Sequence, residues 1–231
     1  MVYNLKPIPA RENNDRIIGI DIGINNLLTI ANNCGLPAFI VNGKPLKSVN
    51  QFYNKQVAYF QKILNQANNK FNSNRLFRFL AKKGDKITDY LHKASRKVVD
   101  YCVENDINTI VIGKNKLWKQ DSHLGKKTNQ NFVQIPFAQL IQMIQYKAEN
   151  LGITTILTEE SYTSGTSFID SELPIKENYN KSRRKYRGLF FSNAGLSINA
   201  DLNGAYQIIR KVFPIKWDRG CVLHPFVVNL K

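Results

Sequence analysis

The sequence predicts an α/β protein built on a mixed sheet, with three antiparallel strands followed by alternating helices and strands. Three observations carry that expectation. Short apolar runs punctuated by Gly and Asn fill residues 16–42. Helical spacing replaces them from about Ser48. Beyond residue 107, two β-branched runs flank a helical segment, which is the pattern of a parallel crossover.

Taken in order, RIIGIDI, LLTIA and PAFIVN read as strands of a meander, because GINN and NNCG between them supply the residues tight turns need. Two or three helices follow. Phe52, Val57, Phe60, Ile63 and Leu64 form one apolar stripe, and Leu91, Ala94, Val98 and Cys102 a later one. INTIVIG, residues 107–113, is apolar throughout, as expected of a strand buried on both faces. After a polar loop, Pro136 opens the helix FAQLIQMIQYKAENLG, which Gly152 stops before the strand ITTILT. Residues 163–199 read as a basic surface insertion, and NADLNGAYQIIRKVF as a last helix with Ala205, Ile208, Ile209 and Val212 on its apolar stripe. The organisation expected is an extension over 1–15, the main unit over 16–214 and a tail over 215–231.

Composition narrows the function. A net charge of +16, from 33 Lys+Arg against 17 Asp+Glu, favours a polyanionic partner, with nucleic acid first. No run approaches the roughly 20 apolar residues of a membrane span, and the N-terminus has no apolar signal region, so the expected location is the cytosol, away from any membrane. Cys34, Cys102 and Cys221 are scattered, as are His92, His123 and His224, so no spacing suggests a disulfide framework or a zinc site.

The carboxylates carry the chemistry. Asp21 lies inside IIGIDIGI, an unfavourable place for a charge without a cationic partner, and Gly19 and Gly23 leave room beside it. Asp201 lies at the start of the last helix, where the dipole stabilises a negative charge. Glu159 and Glu160 end the strand ITTILT, and the crossover brings that strand beside the one bearing Asp21 or one place removed. Alternation along the strand separates the two glutamates by face, and Glu160 is the expected site residue, with Glu159 as its substitute. Three such carboxylates at one sheet edge suit two Mg²⁺ ions about 4 Å apart for phosphodiester hydrolysis.

The stretches GIDIGINNLLTI, NGKPLKSVNQFYNK, DYLHKASRKVVDYCVENDINTIVIGKNKLWKQ, NQNFVQIPFAQLIQMIQYKAENLGI, EESYTSGTSF and INADLNGAYQIIRKVFP, in that order, resemble the RuvC-like, RNase H-like nuclease domain of the TnpB (OrfB) insertion-sequence proteins. Relatives of that family include type V CRISPR effector nucleases. The resemblance implies a metal-dependent DNA endonuclease associated with transposition, using Mg²⁺ or Mn²⁺. It makes Asp21 and Asp201 the first and last catalytic, metal-binding aspartates. Where the family's glutamate closes the fourth strand, this chain reads IVIGKN, with Gly113. The glutamate pair after the next strand implies a relocated ligand, Glu160. The family's zinc ribbon follows Y-T-S, and no cysteine stands there, so no zinc is expected. The guide-RNA-binding half that precedes the domain in relatives is expected to be missing, which leaves DNA as the partner and guide RNA as an optional one.

Lys181, Arg183, Arg184, Lys185 and Arg187 in KSRRKYR are the expected nucleic-acid contacts, with Tyr186 and Phe190 as stacking surfaces and Trp118, Lys119, Lys126 and Lys127 as further channel residues. Two alternatives stand beside this reading. One is an inactive nucleic-acid-binding remnant or regulator. The other is an actin-like ATPase or sugar kinase, whose phosphate hairpin also carries D-I-G, but which needs a duplicated fold that 231 residues scarcely accommodate.

Overall fold

The computed structural model describes residues 8–114, 134–186, 188–216, 218 and 220–230. Strands β1 (Ile17–Ile22), β2 (Asn26–Asn32) and β3 (Phe39–Asn42) form the antiparallel meander. Two long helices follow, α1 (Lys44–Asn68) and α2 (Asn74–Glu104). Then come β4 (Thr109–Gly113), α3 (Phe137–Glu149) and β5 (Thr154–Thr158). A small antiparallel hairpin, β6 (Leu189–Phe191) and β7 (Ser197–Asn199), leads into α4 (Ala200–Val212). Residues Phe226–Val228 form β8.

The main sheet runs β5-β4-β1-β2-β3-β8, with β4 parallel to β1 and β5 parallel to β4. Its first five strands have the order expected of an RNase H-like sheet. β5 therefore lies one strand away from the one carrying Asp21. The tail, expected to follow the last ordered element, instead adds β8 parallel to β3. Among the described residues no helix is long and apolar enough to cross a membrane.

The two faces of the sheet bury separate cores. Leu91, Val98 and Cys102 of α2 and Leu140 and Ile144 of α3 pack against Ile18, Ile20 and Ile110. On the other face, Ala205, Ile208 and Ile209 of α4 pack with Ile17, Ala31 and Val111. Burial on both sides explains why β4 reads as a continuous apolar run. Gly19 sets the approach of α4 to β1, because a Cβ there would stand 2.3 Å from the Ala205 carbonyl oxygen.

Two packing features lie beyond what periodicity and composition show. The stripe on α1 is not a buried face: Phe52 is 54% and Ile63 43% exposed, and Tyr53 is the aromatic residue that α1 buries. Periodicity marked an amphipathic helix, but not which stripe has a partner. Residues 163–199, read as a basic surface insertion, also contribute Phe168, Phe190 and Ile198 to the second core.

Candidate active site

Asp21 reaches the end of β1 because alternation that buries Ile20 and Ile22 on one face turns the carboxylate to the other, opposite Thr29 of β2. α4 passes over it at Gly204, where a Cβ would lie 3.0 Å from Asp21 Oδ2. Asp201 is placed by the start of α4: the Asn199 side chain accepts hydrogen bonds from the amides of Asp201 and Leu202, both at 3.0 Å, and so caps the helix. Asn26 Nδ2 donates to Asp201 Oδ2 at 2.7 Å and Arg184 Nη2 to Oδ1 at 2.9 Å. Both carboxylate oxygens are thus held by named donors.

Glu160 enters from beyond β5. The pairing of Gly113 with Thr158, followed by the hydrogen bond from Lys114 N to Thr158 O, brings the glutamate back across the end of β4. A Cβ on residue 113 would meet Glu160 Cγ at 2.6 Å and Oε1 at 2.7 Å. The glycine at the end of β4 and the glutamate after β5 are therefore parts of one arrangement, in which the side chain of one occupies the volume the other lacks. Glu159 turns elsewhere, to a shallow depression with Lys114 and Leu157.

Asp21, Glu160 and Asp201 line one cavity of about 490 Å³, together with Asn26, Thr29 and Arg184. Burial raises the Asp21 pKa well above the usual carboxylate range, and the charges of Glu160 and then Asp201 push it further, against the pull of Arg184. Burial also raises Glu160, to about 7, against the pull of Lys211. Lys211, on α4, is the positive neighbour that no local reading of LTEESYTSG supplies. Burial lowers its own pKa, and Glu159 and Glu160 partly restore it.

The cavity suits a hard cation. Its acidic donors are carboxylate oxygens, their ionised forms repel one another, and Thr29 Oγ1 is buried there with no hydrogen-bond partner among the described residues. Among the described residues no three His, Cys, Asp or Glu side chains are grouped tightly enough to enclose an ion. An ion here would be held through carboxylate oxygens, the hard donors that Mg²⁺ prefers.

The basic residues expected to touch nucleic acid divide into several groups. Lys181 and Lys185 are exposed, and Lys185 Nζ lies 5.4 Å from the centre of the Phe191 ring. Arg184 faces Asp201 inside the cavity, a role the charge run did not disclose. Arg183 departs from the expectation of a free phosphate contact, because it is only 15% exposed and pairs with Glu172 at 2.7 Å and Asp170 at 3.9 Å. Tyr186 is exposed, but Phe190 is fully buried, which removes it as a stacking surface. Arg187, Trp118, Lys119, Lys126 and Lys127 lie outside the described residues. Asn26 was missed, since an Asn in a GINN turn carries no signal beyond the turn itself.

Comparison with known proteins gives two family matches. The OrfB_IS605 family, described as a probable transposase, matches residues 1–119, just over half of the 231-residue chain. The Cas12f1-like TNB domain matches residues 137–208. Among solved structures, the chain is similar to one in the Cas12f1-sgRNA-target DNA complex, with 18% identity and a TM-score of 0.62 over 86% of this chain and 50% of that one. It is also similar to one in a CRISPR-Cas12f ternary complex, with 18% identity and a TM-score of 0.64 over 89% of this chain and 40% of that one. The chain thus spans half or less of the proteins whose fold it shares. No curated protein matches it.

Proposed function

Because the chain belongs to the OrfB_IS605 family of probable transposases, we propose that it is a metal-dependent DNA endonuclease of the RuvC-like kind, with Asp21, Glu160 and Asp201 as its catalytic and metal-binding residues. The observation that carries the proposal is the convergence of these carboxylates, from β1, the turn after β5 and the start of α4, on one cavity. The unit that performs the reaction is residues 16–214. Guide RNA, bound by the Cas12f1 complex similar in fold, is an optional partner here.

Bound between the carboxylates, Mg²⁺ or Mn²⁺ would neutralise charge at the scissile phosphate and acidify a water. Asp21, Glu160 and Asp201 would hold it through their carboxylate oxygens, and Asp21 and Glu160 would have to be ionised to do so. Asn26 donates to one oxygen of Asp201 and so fixes the orientation of that carboxylate. Arg184 balances the Asp201 charge. Within the cavity it is also the guanidinium placed to meet a phosphate oxygen, with Lys181 and Lys185 outside it along the backbone.

The test is cleavage of labelled single-stranded DNA by the purified chain in Mg²⁺ or Mn²⁺. Asp21→Asn and Glu160→Gln should each reduce the rate at least about a hundredfold, an effect of ~2.7 kcal/mol or more on the barrier, and chelation should abolish it. Glu159→Gln should cut at nearly the wild-type rate. Tight, salt-sensitive binding with no cleavage in either metal would instead establish the inactive nucleic-acid-binding protein.

A further inference from the structure

The α1–α2 hairpin carries a surface that the carboxylate site does not use. Between Lys44 and Lys86 the sequence has ten Lys or Arg and one acidic residue, Asp85, a density of positive charge well above that of the chain as a whole. Large apolar side chains stand exposed among these charges: Phe52 at 54%, Tyr59 at 59% and Phe77 at 58%. On α1 the arrangement repeats after seven residues, Phe52 with Lys55 and then Tyr59 with Lys62. That spacing returns each ring to the same side of the helix, with a lysine three positions on.

The rings are not loose. Phe52 packs edge-on against Tyr53 at 5.3 Å, and Tyr59 lies 5.8 Å from Phe60, so the two exposed rings of α1 are each backed by a partner ring. Arg75 already lies over Phe60 at 5.2 Å, which shows that this surface stacks cations on aromatic faces. α1 also starts at the rim of the acidic cavity. The Gly43 amide donates to the Asn25 carbonyl at 2.7 Å, Lys47 Nζ lies 3.4 Å from Asn25 Oδ1, and Ile24, Asn25 and Asn26 line the cavity. From there the 25 residues of α1 extend about 37 Å.

We propose that the exposed α1 face is a binding track for single-stranded DNA leaving the cavity, with unpaired bases stacked on Phe52 and Tyr59 and the backbone held by Lys55 and Lys62. A protein partner would have to match a surface with almost no acidic side chains, and duplex DNA would leave the rings unused, because its bases are already stacked. The choice of strand rests on the nuclease reading. Binding itself does not, and the experiment is run in chelator so that the two fail separately.

The probe is a fluorescein-labelled deoxythymidine oligomer titrated with the full chain, read by anisotropy over a range of salt. Phe52→Ala/Tyr59→Ala should weaken binding at least about tenfold, given stacking of order 1–3 kcal/mol per base, with the salt slope and the affinity for duplex unchanged. Lys55→Ala/Lys62→Ala should lower the salt slope by about 1.4, at roughly 0.7 per phosphate. Phe52→Trp/Tyr59→Trp should hold or raise affinity, which guards against a mere folding defect. Unchanged affinity in the alanine pair, an equal loss for duplex, or tighter binding of the matching uridine oligomer would overturn the proposal. So would sedimentation showing that Phe52 and Tyr59 hold two copies of the chain together.

Discussion

Glu160 occupies its position because Gly113 has no side chain. Adding one methyl group, Gly113→Ala, would drive a Cβ to within 2.6 Å of Glu160 Cγ and 2.5 Å of Ile208 Cδ1. The expected result is a loss of about 1–3 kcal/mol in urea unfolding, together with a displaced glutamate and slower cleavage. Protons report on the same residue. Glu160 is raised from 4.5 to about 7, so between those values the folded chain keeps a proton that the unfolded chain has released. Without divalent metal, the contribution of Glu160 to stability should be full below about pH 4.5 and be lost as pH rises through about 7, and Asp21 acts in the same direction. Glu160→Gln should flatten that slope in denaturant unfolding, and Mg²⁺ should raise the unfolding midpoint more at pH 8 than at pH 6, where the carboxylates still hold protons.

Among the elements, α4 sets the accuracy of the site. It presents Asp201 in its first turn, passes Gly204 over Asp21 and directs Lys211 toward the glutamate pair. The Asn199 cap fixes where the helix begins. Asn199→Ala should reduce stability by about 1 kcal/mol, measured by chemical unfolding, and should lower the cleavage rate more than the affinity for DNA, because Asp201 moves while the basic surface stays. Gly19→Ala tests the seat of the same helix. A Cβ 2.3 Å from the Ala205 carbonyl oxygen must push α4 away from β1, and a loss of about 3 kcal/mol or more is expected.

For the whole molecule, much of the design was legible in the sequence, for reasons that separate the successes from the failures. The strands and the crossover that carries Glu160 toward the Asp21 edge follow from apolar runs and one topological rule, which left β5 beside β1 or one place removed, whereas the partnership of Asp201 with Asp21 came from the family resemblance. What escaped depends on partners remote in sequence. KSRRKYR gives no sign that Arg183 turns inward to Glu172 while Arg184 turns to Asp201. LFF beside a basic run does not show that Phe190 is core, and amphipathic spacing does not tell that Phe52 lies on an open face. The Arg183 pair braces residues 163–199 internally, where the Glu172 carboxylate accepts from Arg183 and from the Ser167 amide, while the Glu172 backbone carbonyl accepts from Gln207 and Arg210 of α4 and joins the segment to the body of the fold. Glu172→Ala leaves Arg183 without its nearest counter-charge and should cost about 3 kcal/mol in thermal or urea unfolding. The contact between Gly113 and Glu160 also bears on descent. Two carboxylates cannot share that volume, so a lineage moving from one position to the other must pass through a chain with no glutamate at the site or one with a displaced β4. Relatives are therefore expected to carry a glutamate at one of these positions with a small residue opposite it, and sequences carrying both should be rare.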